Sequence, residues 1–181
     1  MFNSMLANAI AYPVFAVASW IMALIAIVFA DVIALFVDKD GNLPKWLRWF
    51  QTPDAPCYGA PFWKEQHPDY STRQLCSSWL RRNPAQGFDQ FIKAKVTMQT
   101  EVKVRGNLDI SDGVYGAPIG GWFLITGGNV FQLSAIIPTR FGCIDICDGW
   151  RLDPIAKKYE SKTLGALIAT PARLFRSKNG K

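Results

Sequence analysis

The first thirty residues carry no charged side chain, no Lys or Arg occurs before Lys39, and Asp31 is the one acid before Asp38. The chain has a single histidine, His67, and four cysteines, Cys57, Cys76, Cys143 and Cys147, with no C-x-x-C pair among them. Cys143 and Cys147, four apart in an expected strand, lie roughly 13 Å from each other and so do not share one zinc ion. One imidazole leaves no basis for pairing a Cys–His nucleophile. No phosphate-binding Gly-Lys loop, G-x-G-x-x-G, H-E-x-x-H or G-x-S-x-G motif is present. The sequence therefore assigns no catalytic, cofactor-binding or metal residue. The reading leans away from an enzyme. At 181 residues the chain holds one modest domain with an appendage, and 50% hydrophobic residues exclude disorder.

What is present is an apolar leader joined to a basic remainder. The formal net charge is +6, and all 20 Lys and Arg follow position 38. Ala9–Ala30 is uninterrupted by charge over 22 residues, roughly 33 Å of helix, which matches a bilayer core of about 30 Å. A cleaved signal peptide fits poorly, since there is no basic segment before the run and no small-x-small cleavage site followed by polar sequence. The expectation is a retained transmembrane helix. A span over 9–30 leaves Asp31 among headgroups; a span over 16–37 takes it inside the boundary, where it needs a partner. Lys39, Lys45 and Arg48 follow the helix and no basic residue precedes it, so the positive-inside rule puts the N-terminus outside and residues 38–181 in the cytoplasm. The thiols are then expected reduced, and pairing among them reports the opposite topology.

Ala16, Ser19, Ala23, Ala26 and Ala30 recur at spacings of 3 and 4 and fall on one helix face. Small residues so placed let helices approach closely in lipid, and the expectation is a self-association seam and a possible homo-oligomer. Lys45, Trp46, Arg48, Trp49 and Phe50 form the next feature. Tryptophan favours the membrane interface, where its ring is shielded and its N–H stays wet, and the cations reach phosphates. These five residues are expected to anchor a short surface helix to the bilayer.

A Pro-rich linker follows, carrying Asp54 in a turn. Ser71–Asn83 reads as a helix with Ser71 as N-cap, an apolar stripe of Leu75, Cys76, Trp79 and Leu80, and Arg81 and Arg82 in the last turn. From Lys93 to Arg105 polar and apolar residues alternate, the signature of a long strand or hairpin. Asp109, Asp112 and Gly113 mark a turn. Gly113–Thr139 lacks charge but is too rich in Gly and Pro for a second span. Trp122–Ile125 and Val130–Leu133 instead flank Thr126-Gly127-Gly128-Asn129 as a hairpin. Cys143–Cys147 adds a strand, and Leu164–Ala169 is a strand or a helix. The fold expected is α+β: one N-terminal transmembrane helix, a short surface helix and a small antiparallel β-rich domain of five or six strands. Its parts are a tail and span over 1–37, a juxtamembrane segment and linker over 38–70, a helix with the sheet over 71–172, and a basic tail over 173–181. The basic residues do not concentrate, which argues against nucleic acid as partner.

The segments LPKWLRWFQTPDAP (43–56), RRNPAQGFDQF (81–91) and GNVFQLSAIIPTRFGCIDICDGWRL (128–152) resemble a family of small uncharacterised membrane-anchored proteins encoded by tailed bacteriophages. The shared pattern is a tryptophan-rich stretch ending in T-P-D, an R-N-P-x-x-G-F stretch and a late Gly-Trp, here Trp46–Asp54, Arg82–Phe88 and Gly149-Trp150. The last thirty residues match least. The resemblance brings no activity and no site residues. It implies a phage protein made in a bacterium and placed at the host inner membrane. The leading expectation is a non-enzymatic, membrane-tethered protein that binds the lipid bilayer and an unknown host or phage protein. The rivals are a lysis or pore-forming protein acting through its helix, and a membrane-tethered enzyme.

Overall fold

The computed structural model describes residues 2–53, 55–110, 120–139 and 142–175. The turn positions Asp54, Asp112 and Gly113 and most of the basic tail lie outside them. The apolar leader forms α1, Met5–Val28, starting four residues before the charge-free run used to place it. Pro13 stands inside the helix. The helix breaks at Phe29 and resumes as the single turn α2, Ala30–Ile33, followed by a 3-10 turn over Ala34–Phe36. The chain divides into two compact units, one of Met1–Pro13 with Lys93–Lys181 and one of Val14–Ile92.

The first unit is built on a five-stranded antiparallel meander. Its strands are β1 Val102–Gly106, β2 Gly121–Gly127, β3 Val130–Thr139, β4 Gly142–Trp150 and β5 Leu167–Phe175, in the order β1-β2-β3-β4-β5. The hairpin read at Thr126–Asn129 is present. Gly128 and Asn129 both take positive φ, +56° and +63°, as the two-residue turn that matches strand twist requires. The long alternation from Lys93 yields a strand only at its end. Thr100 N–H donates to the Thr97 carbonyl at 3.0 Å, and Thr97 N–H donates to Thr100 Oγ1 at 2.9 Å. These bonds bend the chain before β1 begins. Ala94 N–H is drawn instead to the Gly165 carbonyl, 2.7 Å away.

Alternate residues of the strands, Phe123, Ile125, Val130 and Trp150, fill the core of this unit with Leu152 and Ile168. Gln132 is buried among them. Its Oε1 accepts from Leu152 N–H at 2.6 Å and Asp153 N–H at 2.7 Å, and its Nε2 donates to Asp153 Oδ1 at 3.0 Å. A buried amide so satisfied fixes the path from β4 into α6, Asp153–Lys157.

The second unit is helical. α3, Pro61–Gln66, and α4, Thr72–Arg82, are joined by a short irregular link. α4 starts as its sequence dictates, with Ser71 and Gln74 forming a reciprocal capping box. Its stripe of Leu75, Cys76, Trp79 and Leu80 is buried. Ala26, Ala30, Ile33 and Ala34 pack with Leu43, Leu47, Phe50, Cys57, Cys76 and Leu80 in one apolar cluster. Ala85 adopts a left-handed φ of +55° at the entry to α5, Gln86–Phe91. Thus the helix over 72–82 belongs with the apolar leader's second half, and the sheet stands as its own unit.

Cys57 and Cys76 are joined by a disulfide inside this unit, and Cys143 and Cys147 are free. Reduced thiols, expected from the charge-based orientation, do not match this pairing.

Candidate membrane-binding face

Two stripes run along α1 and the turn that follows. Asn8, Ala16, Ser19, Ala26 and Ala30 are buried, and Tyr12 and Ala23, which fill the gaps in the same series, are half-buried. Leu6, Ile10, Val14, Val17, Ile21, Leu24 and Val28 are all exposed, Leu6, Ile10 and Val14 each at 70%. Both series step by three and four. They are offset by two residues, about 200° around the helix, so they lie on opposite faces. The bare stripe holds only branched aliphatic side chains. The covered one is small or polar.

The polar members of the covered stripe bond to their own protein. In the sheet unit, Asn8 Nδ2 donates to the Asn129 carbonyl at 2.7 Å and to the Phe2 carbonyl at 2.9 Å, while its Oδ1 accepts from Phe2 N–H. The Tyr12 hydroxyl lies 2.7 Å from Asp148 Oδ1 and 2.8 Å from the Ile168 carbonyl. Its ring meets Phe131 and Trp150 edge-on, at 5.5 and 5.7 Å. In the helical unit, Ser19 Oγ donates to Asp89 Oδ1 at 2.6 Å. Burial pushes the Asp89 carboxyl up to about 6, with the Ser19 hydrogen bond opposing.

The self-association residues are therefore placed as follows. Ala26 and Ala30 sit in the unit's own apolar cluster, Ala23 packs against it, Ser19 bonds Asp89, and Ala16 is buried. The small side chains let the unit's other segments close on the helix. Asp31, just past α1, pairs with Arg81 at 2.7 Å and also accepts from Ser77. These two partners, Arg81 foremost, hold its carboxyl below the usual range.

The interface residues divide. Lys45, Trp46, Arg48 and Trp49 are exposed, whereas Phe50 is buried in the cluster with Leu47. The segment forms a 3-10 turn, Lys45–Leu47, followed by further turns. Helical spacing of three and four therefore does not carry Trp46 and Phe50 to one side. Trp46 meets Phe36 edge-on at 5.3 Å, and Trp49 stacks on Phe91 at 5.5 Å. Phe29, Val32, Leu35 and Phe36 are exposed, so bare apolar surface continues past α1.

An open cleft of about 850 Å³ lies in the sheet unit, lined by Met5, Glu101, Lys103, Arg105 and residues of β2. The membrane-tethered enzyme would be favoured by a deep polar pocket with Asp109, Asp112 or Asp145 converging in it; Asp109 and Asp145 do not line this cleft, and Asp112 lies outside the described residues. Among the described residues no three His, Cys, Asp or Glu side chains stand ready for a metal ion. His67 is enclosed by rings, stacked on Tyr70 at 4.6 Å and edge-on to Trp63 at 4.4 Å.

Asn8 and Tyr12 extend the covered stripe beyond the residues that small side chains mark in the sequence. The small-residue series begins at Ala16, and two further steps toward the N-terminus reach both. A polar residue on each of those steps marks a face that meets protein.

Among the described residues α1 is the one helix long and apolar enough to cross a membrane. No curated protein and no solved structure matches the chain. A family description, the family of unknown function DUF7338, matches residues 4–179, nearly the whole length, and the chain belongs to that family.

Proposed function

We propose that this protein is a membrane-bound, non-catalytic interaction protein whose N-terminal helix is its attachment to the bilayer. One observation carries the reading: seven large aliphatic side chains stand bare in a single stripe along the whole of α1. A continuous apolar series about 33 Å long is the kind of exposed surface that marks a protein or membrane contact. The exposed Trp46 with Lys45 and Arg48 supports the same reading at the interface. The likeness to small phage proteins in residues 43–152 is the ground for proposing a phage gene product acting at the host inner membrane. Of the two sides of that membrane we propose the oxidising one, because the Cys57–Cys76 bond persists there, against the cytoplasmic placement expected from the flanking cations.

The test is fractionation after expression of the full chain in a bacterial host. The protein is expected in the membrane pellet, resistant to high salt and alkaline carbonate and released by detergent. Recovery in the soluble fraction without detergent overturns the reading.

A further inference from the structure

We propose that α1 lies along one leaflet of an anionic bilayer, bare stripe in the lipid and covered stripe on the protein, and does not cross the membrane. This rests on the membrane reading above and specifies how the helix meets the lipid.

Length and hydropathy alone favour a crossing; what touches the helix between its ends does not. The midpoint of Met5–Val28 falls between residues 16 and 17. Ser19 is then only about 4 Å along the axis from the midplane of a crossing helix. Its hydroxyl is bonded to Asp89, so a crossing would carry that carboxyl to the centre of the bilayer. Tyr12 lies about 7 Å to the other side of the midpoint and is bonded to Asp148. Asp89 belongs to α5, six residues long and too short to cross, and Asp148 to β4, one strand of a five-stranded meander, whereas only long helices and closed barrels cross a bilayer. An acid at the bilayer centre costs about 2.5–3.5 kcal/mol even by the mildest scale. Releasing both contacts avoids that cost but strands Asn8, Tyr12 and Ser19 without the partners they have in this fold.

An in-plane helix meets neither penalty. In each unit's part of α1 the two stripes are on opposite faces, so the polar bonds stay with that unit while the seven aliphatic side chains of the bare stripe enter the acyl region. The side chains around the continuation of the bare stripe indicate the occupant. Phe29, Val32, Leu35 and Phe36 extend it, Trp46 abuts Phe36, and Lys45 and Arg48 are exposed beside Trp46. An aromatic at the interface with adjacent cations complements anionic phosphates above an apolar layer. A second copy of the chain would answer the aliphatic stripe but gives the two cations no counter-charge.

The experiment uses the full chain, expressed in a bacterium, with Ser4→Cys and Lys39→Cys made separately at exposed positions on either side of the helix. Intact spheroplasts are treated with a membrane-impermeant maleimide, before and after permeabilisation, with the unsubstituted protein as blank. The two variants are expected to behave alike, both labelled before permeabilisation or both only after it. Labelling of one before and the other only after means that the helix crosses, and overturns the inference while leaving membrane attachment intact. Recovery of the protein in the soluble fraction, as monomer or as a dimer closed over the stripe, overturns both. Asn3→Cys and Asp40→Cys repeat the measurement at neighbouring exposed positions, and parent-like resistance to limited proteolysis reports that each variant has folded.

Discussion

Asp89 shows how one hydrogen bond on α1 becomes measurable. Burial lifts its carboxyl from 3.8 to about 6, so between those values the unfolded chain has released its proton and the folded chain has not. Stability from this group is therefore greatest near pH 4, falls as pH rises to about 6, and stays lower above that, a difference of about 3 kcal/mol. Asp89→Asn keeps an oxygen to accept from Ser19 and removes the titration. Denaturant unfolding of the detergent-solubilised protein is expected to lose that fall, with the variant more stable than the parent at pH 7. Asp31 runs the other way. Its lowered carboxyl contributes at neutral pH and its contribution fades as the solution is acidified through the carboxylate range. Tyr12→Phe removes a donor from Asp148 and the Ile168 carbonyl and is expected to cost roughly 1–3 kcal/mol in the same assay. At this scale the sequence was legible where spacing decides, as in the series from Ala16 to Ala30. It was opaque for Asp89 and Asp148, because nothing local says which of fourteen acids a distant hydroxyl will meet.

Among the elements, those set by local chemistry were readable and those set by distant partners were not. The capping box at Ser71, the stripe of α4 and the Gly-Asn turn between β2 and β3 follow from residues within four positions of one another. The alternation from Lys93 to Arg105 is as regular as any in the chain, yet the Thr97–Thr100 turn breaks it and only Val102–Gly106 finds a strand partner. Periodicity gives a face; pairing decides whether a strand exists. Phe50 went to the cluster for a related reason, since a 3-10 turn changes which neighbours share a side. The Cys57–Cys76 bond, 19 residues apart in sequence, ties the irregular segment after Phe50 to α4. Closing a loop of that length is worth about 3 kcal/mol by restricting the unfolded chain. Cys57→Ser with Cys76→Ser is expected to lower unfolding stability by up to that amount. Alkylation before and after reduction, on protein taken directly from membranes, should find two thiols protected by the bond. Four free thiols would place the unit on the reducing side and support the orientation drawn from Lys39, Lys45 and Arg48.

For the whole molecule, composition located the long apolar helix within the chain but not which of its faces the protein covers. A charge-free run has the same hydropathy whether lipid surrounds it or covers one side. The offset of two residues between the bare and covered stripes distinguishes these cases, and it predicts which substitutions matter. Ile10→Glu with Ile21→Glu alters two exposed side chains on the bare stripe and none on the covered one. The pair is expected to abolish sedimentation with vesicles of mixed neutral and anionic lipid while the disulfide and the far-ultraviolet circular dichroism persist. Lys45→Gln with Arg48→Gln should act differently, because these cations meet headgroups. Each is worth about 1 kcal/mol at an anionic surface, roughly fivefold in affinity. The double variant should therefore bind anionic vesicles roughly 25-fold more weakly and bind zwitterionic vesicles as the parent does. If Ile10→Glu with Ile21→Glu leaves vesicle binding unchanged, the bare stripe is not what holds this protein to lipid. Attachment through the Trp46 segment alone would then be the surviving account.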